Sequence, residues 1–307
     1  MVGELERFIM KNKQKQGEKM NYDNKKIIVS VSGGKDSTAM CLNLLEQGYS
    51  KSDFIRVFMD TGWEDSGTYG YLEQLQDTIG EIITLKQDID FPEEYSEYVE
   101  YFENKIGWQS PFIRRVFKYQ FFPTRRMKWC TKELKIEPIK KYFDSLDDDY
   151  VNLVGIRKEE SPRRSRMEEW EYNDFFDCWV HRPIIDWKEA EVIDIHHRFN
   201  LVPNKLYLNG SSRVGCYPCI NSNKMEIKRL NQERIQLIKE LEEVITQLRA
   251  KRKGELKPIT FFSSKGTSPM FIEEVYEWSQ TTRGGKQFEL FSTEEPTCIK
   301  WGMCEFK

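Results

Sequence analysis

The chain has 307 residues, a formal net charge of -3 and 39% hydrophobic residues, enough for one large domain or one domain with an appendage. That charge excludes a chain that is basic throughout, as bulk nucleic-acid binders are, while leaving room for local basic patches. No apolar run approaches the ~20 residues of a membrane span, and the polar N-terminus has no secretory stretch, so a cytoplasmic protein is predicted.

In chain order, residues 1–24 read as a polar extension, either an exposed helix or a ragged end. Ile27 to Val31 is short, β-branched and followed by glycines, which predicts a buried parallel strand. Thr38 to Gln47 has helical spacing and stops at Gly48. Phe54 to Met59 predicts a second strand, Thr68 to Ile79 a helix and Ile82 to Leu85 a third strand. This order implies right-handed crossovers and a parallel sheet. Phe91 to Lys128 reads as helical, interrupted at Pro111 and Pro123, and Lys132 to Leu146 as a further helix. Tyr150 to Val154 predicts a strand, and the charged residues 158–175 a mobile loop. A helix is predicted to end at Phe199, a polar cysteine-bearing loop to run from Gly210 to Asn221, and one long charged helix to span Lys224 to Arg252. Phe271 to Ser279 completes the helices, and the tail from Gly284 has little periodicity. The fold class expected is α/β: a doubly wound parallel sheet with a phosphate loop after the first strand, plus a helical C-terminal extension. The expected divisions are 1–24, 25–222 and 223–307.

Ser32-Gly33-Gly34-Lys35-Asp36-Ser37 lies between the first strand and the first helix. Glycines allow a tight turn and close backbone approach to a phosphate. The helix start offers free N–H groups and a positive dipole end. Ser32, Ser37 and Thr38 can donate hydroxyl bonds, and Lys35 can neutralise phosphate charge. Asp36 is unexpected in an anion-binding loop unless Mg²⁺ is held there. The loop is not a Walker A motif, which has four residues between its first Gly and its Gly-Lys pair. It resembles the PP-loop of ATP pyrophosphatases, which cleave ATP between the α and β phosphates.

Four further stretches resemble the phosphoadenosine phosphosulfate (PAPS) reductase family. They are Asp60-Thr61-Gly62-Trp63-Glu64, Trp129-Cys130-Thr131 with Leu134-Lys135-x-x-Pro138, Gly155-x-Arg157-x-x-Glu160-Ser161-x-x-Arg164, and Pro183-Ile184-x-x-Trp187. Asp60 follows a strand end, where α/β sheets bind ligands, and is a candidate for the nucleoside or Mg²⁺ together with Thr61 and Gly62. Arg157 also follows a strand end and is a candidate phosphate or sulfate clamp. Arg163, Arg164 and Arg166 add charge to a loop that either closes over an anion or is a solvated surface. Reductases of the family usually have a degraded PP-loop, whereas here it is intact. The chain therefore resembles the ATP-cleaving relatives more: the small subunit of ATP sulfurylase and the ATP pyrophosphatase of DNA phosphorothioation. ATP with Mg²⁺ is the expected nucleotide.

In a reducing compartment the seven cysteines are metal ligands, nucleophiles or buried thiols rather than a disulfide framework. Cys216-Tyr217-Pro218-Cys219 is a C-x-x-C in a polar loop, able to chelate a metal or two irons of a cluster. Arg213-Val214-Gly215-Cys216-x-x-Cys219 resembles the R-x-G-C-x-x-C of the phosphorothioation relative, which binds a [4Fe–4S] cluster. Cys130 sits in the other segment where cluster-bearing family members place ligands. The resemblance thus implies Cys130, Cys216 and Cys219 as cluster ligands; a Zn²⁺ site and free thiols are the competing readings. The fourth ligand is Cys178, Cys298 or Cys304, or else an iron stays open to bind sulfide. Cys304 and Cys298 lie in a tail where PAPS reductases carry a nucleophilic cysteine, so Cys304 is the candidate nucleophile; incidental thiols are the alternative. Cys41 lies on an apolar helix face and is expected in the core. None of the three histidines is a strong general base, which leaves the chemistry to phosphate and metal electrostatics. The aromatic segment 95–122, interleaved with Arg114, Arg115 and Lys118, either stacks bases of single-stranded nucleic acid or packs a core.

The leading expectation is an enzyme that cleaves ATP at the α-phosphate to activate a substrate for sulfur transfer, with Lys35, Asp36, Arg157 and Cys304 as catalytic candidates. A thiol-dependent reductase of PAPS or adenosine phosphosulfate is the second, and a non-catalytic nucleotide-sensing subunit the third. The partners expected are an adenine nucleotide, a nucleic-acid or small-molecule acceptor, and a sulfur donor or thioredoxin-like protein.

Overall fold

A computed structural model describes residues 22, 25–262, 269–282 and 301 of the chain. Its centre is a six-stranded sheet of order β3-β2-β1-β4-β6-β5. The strands are β1 (Lys26–Val31), β2 (Phe54–Asp60), β3 (Ile82–Lys86), β4 (Tyr150–Val154), β5 (Trp170–Asn173) and β6 (Cys178–His181). All neighbours pair parallel except β5, which runs antiparallel on β6 at the edge. β1 lies at the middle, which explains why it is apolar on both faces: parallel strands with helices above and below bury both sides.

Alternation along β1 divides the two faces. Ile27, Val29 and Val31 pack with α1 (Lys35–Glu46), α2 (Ser66–Ile79) and α7 (Glu189–Arg198). Ile28 points the other way, with Val57, onto Ile139 and Phe143 of α6 (Glu137–Asp144). The doubly wound reading therefore holds, and β1 to β4 fall where the sequence predicts them.

A second core lies beside the sheet. It combines α3 (Ser96–Ile106), α4 (Pro111–Tyr119), α9 (Lys224–Lys228), α10 (Gln232–Lys253) and α11 (Ile272–Gln280) around Trp63, Phe102, Phe117, Leu241 and Phe261. The C-terminal helices thus share one core with residues 89–134. The aromatics of 95–122 split accordingly: Phe102, Phe112, Phe117 and Phe122 are core, while Tyr98 and Tyr101 stay exposed.

Three sequence expectations need correction. Residues 158–175 are not one loop: they form two 3₁₀ turns, Lys158–Glu160 and Arg164–Arg166, and then β5. β5 and β6 have four residues each, too few for periodicity to show. The helix predicted over Lys224 to Arg252 breaks at Arg229–Asn231, where the Asn231 side chain accepts the Arg234 N–H at 2.8 Å and caps α10. Tyr22, within the extension, is buried, and its hydroxyl lies 2.8 Å from Nδ1 of His181. Among the described residues no helix is long and apolar enough to cross a membrane.

Candidate functional site

The strand β1 hands over to α1 through residues 32–34. Gly33 has φ +69°, which glycine adopts without strain. The loop is closed by its own hydroxyls: Ser37 Oγ donates to the Gly34 carbonyl at 3.0 Å and accepts the Ser32 N–H at 3.1 Å. Gly34 caps α1 without a side chain. Among the described residues no protein acceptor takes the first-turn N–H of Asp36 or Ser37, as an anion-binding helix start requires. The end of β4 presses on this turn from below. A Cβ on Gly155 would meet Ser37 Cα at 2.7 Å and the Asp36 carbonyl carbon at 2.8 Å. Glycine in the Gly155-x-Arg157 stretch is thus a packing requirement.

A cleft of about 770 Å³ opens over the loop. That is within the ~300–1,000 Å³ of small-molecule sites. Ser32, Gly34, Asp36 and Ser37 line it, and so do Cys216 and Cys219. The phosphate-loop candidates and the C-x-x-C therefore share one space. Tyr207, on α8 (Lys205–Leu208), joins them: its hydroxyl accepts the Lys35 N–H at 3.0 Å, and its ring lies 4.7 Å from Lys35 Nζ. Lys35 is itself buried, with Nζ donating to the Ser212 carbonyl at 3.1 Å and pairing with Glu189 at 3.5 Å.

Other predicted site residues lie under the cleft rather than along it. Arg157 is buried and ion-pairs with Asp36 and Glu159. Burial opposes its charge, but these carboxylates prevail and hold the guanidinium above its ordinary range. Asp36 thus has a protein cation as partner on Oδ1 while still lining the cleft. Asp60 is buried too. Its Oδ1 accepts the Gly62 N–H at 2.8 Å and the Tyr69 hydroxyl at 2.7 Å, and its Oδ2 pairs with Lys86 at 3.0 Å. Both Asp60 oxygens thus have protein partners. Thr61 donates to Glu64 at 2.8 Å, and Gly62 (φ +67°) packs on Ser110, where a Cβ would come within 2.6 Å. The Asp60–Gly62 stretch thus forms a framework behind the cleft, and none of its three residues is among those that line it.

That framework carries the thiols. Glu64 and Cys216 form an antiparallel bridge, the Tyr217 N–H donates to the Trp63 carbonyl at 2.8 Å, and Trp63 Nε1 donates to the Pro218 carbonyl at 3.1 Å. Cys130 arrives from α5 (Trp129–Thr131), which runs through a π-helical turn, Lys132–Ile136, into α6. Pro138 follows that turn; proline lacks an N–H and clashes with the carbonyl four residues back, and widening the helix relieves both problems. The turn carries Lys135 to the thiols. Its ammonium is held above the usual lysine range by Cys216, then by Glu64, Cys219 and Cys130, which outweigh burial. Burial pushes the Cys216 thiol up to about 12 although Lys135 pulls it down, and burial also raises Cys130. Glu64 is raised by burial as well, against the pull of Lys135.

Three thiols around one ammonium fit a thiolate-held metal group chemically, though among the described residues no three His, Cys, Asp or Glu side chains form a ready metal cage. Cys41 and Cys178 are buried elsewhere: Cys41 packs in the sheet core and Cys178 lies on β6. Cys298 and Cys304 lie outside the described residues. Two histidines are structural. His181 stacks on Trp170 at 3.9 Å, and His196 Nδ1 donates to the Val192 carbonyl at 2.7 Å, burial lowering the ring to about 4. Lys135 was visible in the sequence as part of Leu134-Lys135-x-x-Pro138 but without a role, and nothing marked Tyr207.

The sequence profile described as phosphoadenosine phosphosulfate reductase domain matches residues 26–222. An uncharacterized 37.8 kDa protein of Escherichia phage 186 is 28% identical, over 91% of this chain and 96% of its own length. An uncharacterized protein of Methanocaldococcus jannaschii is 30% identical over 73% of this chain, which spans only 42% of that protein. An adenosine 5'-phosphosulfate reductase of Anoxybacillus flavithermus is 28% identical over 58% of this chain and 78% of its own length.

Proposed function

Since the chain belongs to the phosphoadenosine phosphosulfate reductase domain family, we propose that it binds ATP at residues 32–37, cleaves it at the α-phosphate, and so activates an acceptor for sulfur transfer. One observation carries the reading: the phosphate loop and the thiols Cys216 and Cys219 line the same cleft. A nucleotide held at one wall then presents its reactive phosphorus toward sulfur-bearing groups at the other.

This reading gives each residue a role. The first-turn amides of Asp36 and Ser37 receive phosphate oxygens, with the α1 dipole behind them. Lys35 contributes positive charge while fastening the 205–214 segment to the loop. Arg157 positions Asp36 from below instead of gripping phosphate directly. Asp36, facing the cleft, is the residue that would meet Mg²⁺. Acceptor oxygen attacks the α-phosphorus, pyrophosphate leaves, and sulfur from a donor displaces AMP from the adenylated acceptor. Cys130, Cys216 and Cys219 would hold an iron–sulfur group or Zn²⁺, which would supply a sulfur-binding metal, and Lys135 supplies their counter-charge. Cys304 remains a candidate nucleophile by its place in the tail. The extension 223–307 is read as bracing the thiol wall through its described helices α9, α10 and α11.

The test is ATP-dependent pyrophosphate release over a panel of acceptors, for the wild type, Ser37→Ala and Lys35→Ala. Both variants should lose release by about 100-fold or more, the scale of losing one oriented donor to developing charge. Release at the wild-type rate in both, or sulfite release from adenosine phosphosulfate without any ATP cleavage, would replace this reading.

A further inference from the structure

A second cavity of about 460 Å³ adjoins the cleft, with Asp65, Ser66, Tyr217 and Asn231 bordering both. Three independent features converge on it. First, two long helices start there: α2, capped by Asp65, and α10, capped by Asn231. Their positive ends favour an anion. Second, Arg234 borders it and is only 8% exposed. One terminal nitrogen, Nη2, donates to the Glu64 carbonyl at 3.1 Å, and the guanidinium lies over the rings of Trp63 (4.6 Å) and Tyr217 (5.4 Å). The other, Nη1, is buried and has no hydrogen-bond partner among the described residues. A buried donor left unpaired costs about 1–3 kcal/mol, a cost that an entering oxygen acceptor removes. Third, Trp108 and Tyr217 give the cavity aromatic walls, the feature on which a planar ring gains.

Acidic groups also border the space. Asp65 is turned to its own helix, where Oδ1 accepts the Gly67 N–H at 2.8 Å, and Glu233 lies on the exposed rim. Neither reaches Arg234 Nη1 as a hydrogen-bond partner.

We propose that this cavity is the acceptor subsite and takes a nucleotide unit, with Arg234 Nη1 donating to a phosphate oxygen and the base lying against the aromatic wall. The proposal rests on the cleft being the ATP site, since it assigns the neighbouring space to the second substrate. A free mononucleotide and a residue within an oligonucleotide offer the same chemistry, and the experiment separates them.

Full-length protein is saturated with a non-hydrolysable ATP analogue and titrated with uridine monophosphate, a single-stranded oligouridylate and inorganic phosphate, read by tryptophan fluorescence. A nucleotide probe should bind alongside the analogue. Arg234→Gln and Gln236→Glu should each weaken that probe at least tenfold and leave analogue affinity within about twofold. Gln236 is exposed and borders only this cavity, so its variant decides the matter if Arg234→Gln fails to fold by circular dichroism. Tighter binding of the oligonucleotide assigns a polynucleotide acceptor, and tighter binding of the monophosphate a free nucleotide. Binding of neither, wild-type affinity in the folded variants, or displacement of the probe by the analogue would overturn the proposal. Loss of analogue binding with probe binding intact would instead sink the ATP reading and leave this subsite standing.

Discussion

One wall of the cleft comes from a continuous hexapeptide, residues 32–37, while the other is gathered from stretches far apart in the chain: Lys135, and Cys216 with Cys219, backed by Glu64 and Cys130. The first is shaped by backbone. Its strand, glycines and helix start specify it locally, with Gly155, Arg157 and Tyr207 bracing it from elsewhere. The second is shaped by tertiary packing, because Trp63 and the C-terminal helices hold its pieces in register. The two walls are therefore vulnerable in different places. The loop wall fails through its own residues, and the thiol wall through distant ones.

The largest expected effect breaks the assembled wall from outside the cleft. Trp63 stacks on Phe112 at 4.6 Å and Phe261 at 5.9 Å and binds the Pro218 carbonyl. Trp63→Ala should cost about 3–5 kcal/mol by urea unfolding. A loss below 1 kcal/mol would mean that the C-x-x-C loop stands without it.

A smaller effect on stability is read through pH. Glu242 on α10 is buried, and burial raises it to about 8 although it accepts the Phe261 N–H at 2.7 Å and the Ile272 N–H at 2.8 Å. The folded state keeps this proton while the unfolded state, near pH 4.5, has lost it. Its contribution is therefore fully present below about pH 4.5, declines as pH rises and is gone above about pH 8. The decline should be on the order of 2 kcal/mol between pH 5 and 8. Glu242→Gln should flatten it in denaturant titrations across that range; an unchanged slope would assign the decline to other groups.

The smallest effect is local to the thiols. Lys135→Met removes the charge that pulls Cys216 down. Alkylation of Cys216 by iodoacetamide at pH 8, followed by mass spectrometry, should slow by roughly three- to tenfold. Faster alkylation would show that Lys135 shields the thiol rather than ionising it.

The same contrast explains what was legible in the sequence. β1 to β4 and the loop were readable because parallel strands buried on both faces are continuous apolar runs with glycine stops. β5 and β6 were not, being four residues each and completed only by their neighbours. The break before α10 had a signal, Asn231, that charge periodicity on either side obscured. Asp60 and Arg157 carried polar side chains at strand ends, where ligands bind, yet the fold spends both on internal partners. Sequence shows which groups a residue owns but not which of them a neighbour has already taken. Tyr207 and Arg234 gained their places only through the packing of helices that begin after residue 204.

The most direct test of the account is whether nucleotide at the loop covers the thiols. Cys216 and Cys219 should be alkylated in the full-length protein with and without saturating ATP analogue and magnesium. The account predicts at least fivefold protection by the analogue, with Cys41 unmodified in both conditions. Equal alkylation of Cys216 and Cys219 with the nucleotide demonstrably bound would contradict it, because loop and thiols would then not share the working cleft.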